Sequence, residues 1–290
     1  MLSMLTPGAA RTIVRIAPAH EAIVSWNTRA SAGALDLAVY CADGQVSTWL
    51  PYVRFAPDGR RSLCGADDVA RIATDIVRAE APIVAIEVRS DVALDAIAVS
   101  TPVPPEARPS AHDGGVLDVP ALSQYDPDRP AERGWCSPTS LAMLLAFWGQ
   151  HVRLVDIAHA VYDDSYGGTG NWTFNTAYAG TLGLRGAVVH LGGLAHAAAF
   201  VAAGIPLALS FSWSHDDLPG APLDHSSGHL AVLRGFTRHG HPRFNDPAQP
   251  DLTTVYDRAA LERVWRAHGG VAYAIVPSAR GSDLLRLTNG

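Results

Sequence analysis

The stretch "GWCSPTSLAMLLAFWGQ", residues 134–150, reads as the start, body and end of one helix. Leu141, Leu144, Leu145 and Trp148 recur at the spacing of a single apolar face, and Gly149 stands where a helix ends. Pro138 is preorganised for a first turn, with Cys136 or Ser137 as the flanking residue. The Cys136 sulfur is therefore expected near backbone N–H groups that have no intrahelical partner. Those groups and the helix dipole favour an anion, and the thiolate is the nucleophilic form of cysteine. The alternative is a small core residue packed beneath Trp135, since cysteine is among the most buried residue types. On this stretch alone the two readings stand level.

A nucleophilic cysteine needs a base and a group that fixes the base's tautomer. In "GHLAVLRGF", His229 opens an alternating apolar run, so it is expected at the end of a central strand with its ring on one face. His215, His225, His239 and His241 lie in loop-like sequence, where histidine is usually a solvated polar residue. The next strand, "RFNDPA", offers Asp246 or Asn245 as the orienting acceptor; neighbours on a strand point to opposite faces, so only one should reach His229. Read without a catalytic role, the same "NDP" is a strand-ending turn. Gln124, in "VPALSQYDP", is a candidate side-chain donor to an oxyanion.

Around this set the chain divides by pattern. Short β-type runs from about Thr12 to Thr101, separated by turn-like "ADG" and "DGR", predict an all-β sandwich-like domain over 1–101. Trp26, Trp49 and Tyr52 in it could line a ligand-contacting face but are expected in the core. Residues 102–116, with four prolines, predict a connector. Over 117–290 helices come first ("PTSLAMLLAFWG", "VDIAHAVYD", "WTFNTAYAGTLG", "LAHAAAFVAAG") and strands with one more helix follow, so an α+β domain is expected.

The totals bound the function. The net charge of -6 is mild and forms no basic stripe, so nucleic acid is not an expected partner. No apolar run approaches the roughly 18 residues of a membrane-spanning helix, and a soluble globular protein is expected. "MLSMLTPGAARTIVR" has no basic residue before its short apolar patch; a standard secretory signal is not expected and a cytoplasmic location is, with secretion as the alternative. Cys41, Cys64 and Cys136 form neither a CxxC pair nor a zinc-type spacing, and Cys41 and Cys64 are expected as reduced core residues rather than a disulfide.

The ordered pieces "SQYDP", "WCSPTSLAML", "GHLAVLRGF" and "FNDPA" resemble the papain-like cysteine peptidases of the bacteriocin-processing, double-glycine-leader type, the C-thirty-nine family, and its stand-alone bacterial relatives. In that family a Gln precedes a "CxPTS" or "CGPAS" helix start, a His opens a "GHxxVLxGF" strand, and an "NDP" or "DP" strand follows. The tail pieces "VYDRAALERVW" and "GGVAYAIVP" are similar to its stand-alone members, and the likeness spans roughly 117–278. It implies a papain-like domain that hydrolyses a peptide or amide bond, without metal or organic cofactor. By it Cys136 is the nucleophile, His229 the general base and acid, Asp246 the orienting residue with Asn245 as fallback, and Gln124 the oxyanion donor. Ser137 replaces the Gly that often follows the family's cysteine, and its side chain is expected to add bulk at the cleft rim. Trp135, Gly170 and Trp172 are candidate substrate contacts, the last two from the glycine-rich "DDSYGGTGNW".

Three other readings remain open. His215, Asp216, Asp217, Asp224, His225 and His229 are potential metal ligands, but their spacing matches no helical ligand pair around a Glu base. A catalytically idle papain-like and β-sandwich module could bind a wall polymer or peptide. An acyltransferase of transglutaminase type would pass the acyl group to an amine. The peptide or protein substrate itself is not encoded in any one residue.

Overall fold

The structure is a computed structural model and describes residues 1–6, 10–105, 115–125 and 134–290. Most of the expected connector, 106–114, lies outside the described residues. In chain order the elements are β1 (Leu2–Leu5), β2 (Arg11–Asn27), β3 (Gly33–Cys41), β4 (Leu50–Ala56), β5 (Gly59–Ser62), β6 (Ala70–Ala73), β7 (Ile76–Ser90) and β8 (Ala96–Ser100). Then come α1 (Cys136–Phe147), α2 (Leu154–Val161), α3 (Trp172–Thr181), β9 (Leu184–His190), α4 (Leu194–Ala202), β10 (Leu207–Trp213) and β11 (Ser226–Phe236). The chain ends with β12 (Pro242–Asn245), β13 (Thr253–Val255), α5 (Arg258–Ala267), β14 (Val271–Pro277), a short 3-10 turn (Ser278–Arg280) and α6 (Gly281–Asn289). This is an α+β chain.

It forms two compact units: Met1–Pro102 with His159–Val189 and Val276–Gly290, and Val103–Ala158 with His190–Ile275. A single boundary near 101 does not describe this, because α3, most of β9 and α6 return to the first unit. The β-rich portion is one continuous antiparallel sheet, β1-β8-β2-β7-β3-β4-β5, with β6 on β7. The runs "TIVRI" and "AIVSWNT", which read as separate strands, are one long β2, its register with β7 shifting between Arg15 and Ala19 and again before Glu21. Conversely "VARIATDIV" holds a tight turn: Thr74 takes φ 57 between β6 and β7.

Helix α3 returns because the sheet's apolar residues need cover. Phe174 and Ala177 join the buried cluster of Trp26, Tyr52, Leu35 and Ile86, and Trp26 meets Phe174 edge to face at 5.9 Å between ring centroids. The close approach is bounded by glycine: a Cβ on Gly180 would lie 2.7 Å from the Asn27 Cβ. Asn27 then ties three segments together. Its Nδ2 donates to Thr176 O and Gly186 O, both at 3.2 Å, and its Oδ1 accepts from Gly186 N at 3.2 Å.

Trp26 and Tyr52 are core residues. Trp49 is instead a half-buried ring covered by Arg89 and Arg11, whose guanidinium carbons lie 4.4 and 5.1 Å from its centroid. Cys41 is buried, but Cys64 is exposed in a positive-φ turn and not the core residue expected.

In the second unit β13-β12-β11-β10-β14 form an antiparallel run. Helix α1 packs on β11, and α5 on β10. Helix α1 departs from the one-face expectation: Ser137 through Leu145 are all buried. It is a central helix rather than a surface one, and it ends as expected at Gly149, φ 78.

Asn27→Ala leaves the buried Thr176 and Gly186 backbone groups without these partners. It should lower the unfolding free energy by about 2 kcal/mol, read from urea midpoints at unchanged slope. A loss within error would show that the Asn27 bonds do not hold α3 and β9 to β2.

Candidate active site

The second unit assembles the cysteine and histidine from local backbone geometry. Trp135 is the N-cap of α1 and Cys136 its first helical residue, one position further into the helix than a flanking role requires. Thr139 N donates to Trp135 O at 3.0 Å, closing that first turn. Trp135 is only 9% exposed, so it offers little ring to a ligand. Cys136 itself is half-buried and keeps part of its surface.

Strand β11 begins at Ser226, three residues earlier than its apolar run, so His229 sits inside the strand opposite Phe211 of β10. The residue is 2% exposed, and its ring is flanked edge to face by Phe211 and Trp213, each with centroids 5.5 Å away. Leu230 links helix to strand: its carbonyl accepts from Ser140 Oγ at 3.0 Å, which ties α1 to β11.

The two neighbours at the end of β12 face opposite ways, as a pleat requires. Asp246 Oδ1 lies 2.8 Å from His229 Nε2, whereas Asn245 Nδ2 donates to Val119 O at 2.7 Å. Asp246 is therefore the partner of His229, and Asn245 tethers the segment that carries Gln124. That segment is held at two further points: Leu117 N donates to Arg234 O at 2.7 Å and Gln124 N to Pro247 O at 3.0 Å. Gln124 is thus fixed next to the residue following Asp246, and its side-chain Oε1 is buried with no hydrogen-bond partner among the described residues.

Asp246 is fully buried, and each of its oxygens has a donor besides solvent. Ala248 N donates to Oδ1 at 3.0 Å and the Tyr256 hydroxyl to Oδ2 at 2.6 Å. Tyr256 opens no periodic run, although it stands in the "VYDRAALERVW" piece: it lies ten residues beyond Asp246, just before the Asp257 cap of α5.

The electrostatics follow from burial and pairing. For His229 burial disfavours the charged ring, but the Asp246 charge and hydrogen bond and the hydrogen bond with Cys136 outweigh it and raise its pKa well above 6.5. For Cys136 burial again opposes charge, and the hydrogen bond and positive charge of His229, with the Leu230 N–H, bring it below the ordinary thiol value of 9.0. Asp246 is likewise held below 3.8 against its burial by His229, Tyr256 and Ala248. Since Nε2 faces Asp246, Nδ1 is the ring nitrogen left for the sulfur. The arrangement favours a thiolate beside an imidazolium.

The remaining candidates have the following surroundings. Gly170 and Trp172 belong to the first unit, where Trp172 N donates to Asp75 Oδ2 at 2.8 Å. Their loop is wound around the buried Asp163, which accepts from Ser62 N, Ser165 N and Asn171 Nδ2. Neither residue is brought to Cys136 within the second unit. Ser137 does not line a rim: it is buried, and its Oγ is 2.9 Å from the Tyr273 hydroxyl. His215 and His225 have ring centroids 5.7 Å apart, and among the described residues no three His, Cys, Asp or Glu side chains gather as a metal site.

The model of one peptidase family, described as "Peptidase_C39 like family", matches residues 116–273. No curated protein matches the chain. Solved structures are similar as well, among them the following two. One is a double glycine motif protease from an AMS/PCAT transporter, crystallised with its leader peptide; it is 18% identical and covers 59% of this chain and 100% of its own, with a TM-score of 0.38. The other, described as a C39-like peptidase from Bacillus anthracis, is 18% identical and covers 56% of this chain and 96% of its own, with a TM-score of 0.43. The family match takes in Gln124, Cys136, His229 and Asp246 together and spans more than half of the chain. The chain belongs to the Peptidase_C39 like family.

Proposed function

We propose that this chain is a cysteine peptidase that hydrolyses a peptide or amide bond through a thioester. The observation that carries this reading is the linked series in the second unit: Cys136 at the first turn of α1, its thiol drawn below the ordinary value by His229, whose Nε2 lies 2.8 Å from Asp246 Oδ1. A purely structural core has little reason to bury a carboxylate, an imidazole and a thiol in alternating charge order. A peptide is the substrate class the family suggests. The leader peptide bound to the transporter protease is that protein's own ligand.

In the proposed reaction the Cys136 thiolate attacks the carbonyl carbon and the carbonyl electrons move to oxygen. The oxyanion would be received by the N–H of Cys136 and the Gln124 side-chain amide. As the C–N bond breaks, His229 gives the proton on Nδ1 to the departing amine, leaving an acyl thioester and a neutral ring. The same nitrogen then takes a proton from water, hydroxide adds to the thioester carbonyl, and the thiolate departs beside a restored imidazolium. Asp246 remains ionised and keeps Nε2 protonated throughout.

Against a fluorogenic peptide library, Cys136→Ala and His229→Ala should each lose at least about 1,000-fold in kcat/KM and Gln124→Ala about 100-fold. Equal turnover by Cys136→Ala and wild type would exclude the thioester route. Capture of the acyl group by an added amine in preference to water would move the reading to acyl transfer.

The pKa directions set the pH behaviour. A lowered Cys136 and a raised His229 place the ion pair between the thiol's depressed value and the imidazole's elevated one, so kcat/KM should plateau across neutral pH. Its acid limb should lie below 9.0 and its alkaline limb above 6.5. For stability the two groups oppose each other: a raised histidine contributes fully below its unfolded value of 6.5 and loses that contribution as pH climbs through about 10, whereas the lowered Cys136 gains one up to the unfolded thiol value of 9.0. Resistance to urea should therefore fall chiefly above pH 9, where the histidine contribution alone still changes, and His229→Gln should flatten that decline; an equally steep decline in the variant would contradict it.

A further inference from the structure

The proposal concerns Tyr256 and rests on the reading of Cys136 and His229 as the working pair. Tyr256 is fully buried, and its ring packs edge to face on Phe244 and Phe211, with centroids at 5.6 and 6.2 Å. Phe211 in turn flanks His229. One aromatic box therefore holds both the base and the side chain that grips its carboxylate. The backbone leaves Tyr256 little freedom, since its N–H donates to Pro242 O at 3.2 Å and the Asp257 side chain caps α5 immediately after it.

The 2.6 Å bond from the Tyr256 hydroxyl to Asp246 Oδ2 competes with the bond from His229 to Oδ1 for the same negative charge. A donor on one oxygen is held hardest when the carboxylate is otherwise unrelieved, which is the state with a neutral imidazole. Removing that donor thus costs more when His229 is neutral than when it is an imidazolium. We propose that Tyr256 is a positioning residue for Asp246: its hydroxyl fixes the carboxylate so that Oδ1 stays on His229, and it draws off enough charge for the imidazolium to release its proton to a leaving amine. The titratable groups facing Asp246 are His229 from β11, Tyr256 from the β13–α5 junction and, through His229, Cys136 from α1.

The test is the ionisation of His229 in the full chain, followed by nitrogen-15 NMR of labelled histidine. Tyr256→Phe keeps the ring and removes the donor; the His229 pKa should rise by roughly one unit, a ten-fold change in the equilibrium. Uniform replacement of tyrosine by 3-fluorotyrosine, a stronger donor of similar shape, should shift it downward and serves if the phenylalanine variant does not fold. In an Asp246→Asn background, Tyr256→Phe should leave the His229 pKa unchanged, because the hydroxyl acts through the carboxylate. An unchanged or lowered value in Tyr256→Phe, an unchanged or raised one with fluorotyrosine, or an equal shift in the Asp246→Asn background would overturn the proposal.

Iodoacetamide alkylation of the same samples keeps the two ideas apart. Wild-type Cys136 reacting no faster at neutral pH than a free thiol would defeat the peptidase reading. The His229 shift would still decide whether Tyr256 tempers Asp246.

Discussion

A buried carboxylate next to a buried imidazole governs the second unit. Asp246 is closed to solvent and His229 nearly so, and either charge alone would be costly at that depth. Each is tolerable because the next group in line carries the opposite sign. The series ends at Cys136, the member that keeps some exposure, so the negative charge favoured on its sulfur lies nearest the surface.

The surrounding fold can be understood as the set of contacts that keeps this series in line. Leu230 gives its carbonyl to Ser140, which ties the start of α1 to the strand carrying His229. Asn245 and Asp246 divide the labour of a strand end: one holds the incoming segment at Val119, the other holds the imidazole. Phe211, Phe244, Trp213 and Tyr256 exclude water around the ring. Water exclusion strengthens every electrostatic contact inside.

Much of this was legible in the sequence, and for physical reasons. Pro138 and Gly149 bracket α1, and the alternation of a strand allows only one of Asn245 and Asp246 to face His229. Other features were hidden because they depend on packing between distant segments. The amphipathic spacing in α1 conceals that its Ser137, Thr139 and Ser140 are also buried; small polar residues can enter a core when a partner such as Tyr273 or the Leu230 carbonyl awaits them. The period of α3 shows an apolar face but not which sheet it covers, and the glycines of "DDSYGGTGNW" do not reveal that the buried Asp163 organises the loop. Short strands such as β1 and β13 carry too few residues for a period to emerge. Tyr256 sits between elements, where no hydrophobic period points to it, and the likeness of "VYDRAALERVW" does not single it out.

The most direct check on this account is the ultraviolet absorbance of the thiolate, titrated with pH in the folded protein against a Cys136→Ser reference. The pairing described here predicts a midpoint well below the ordinary thiol value of 9.0. A midpoint at or above that value would mean that burial outweighs the imidazolium, and the charged pair at the centre of this account would not exist.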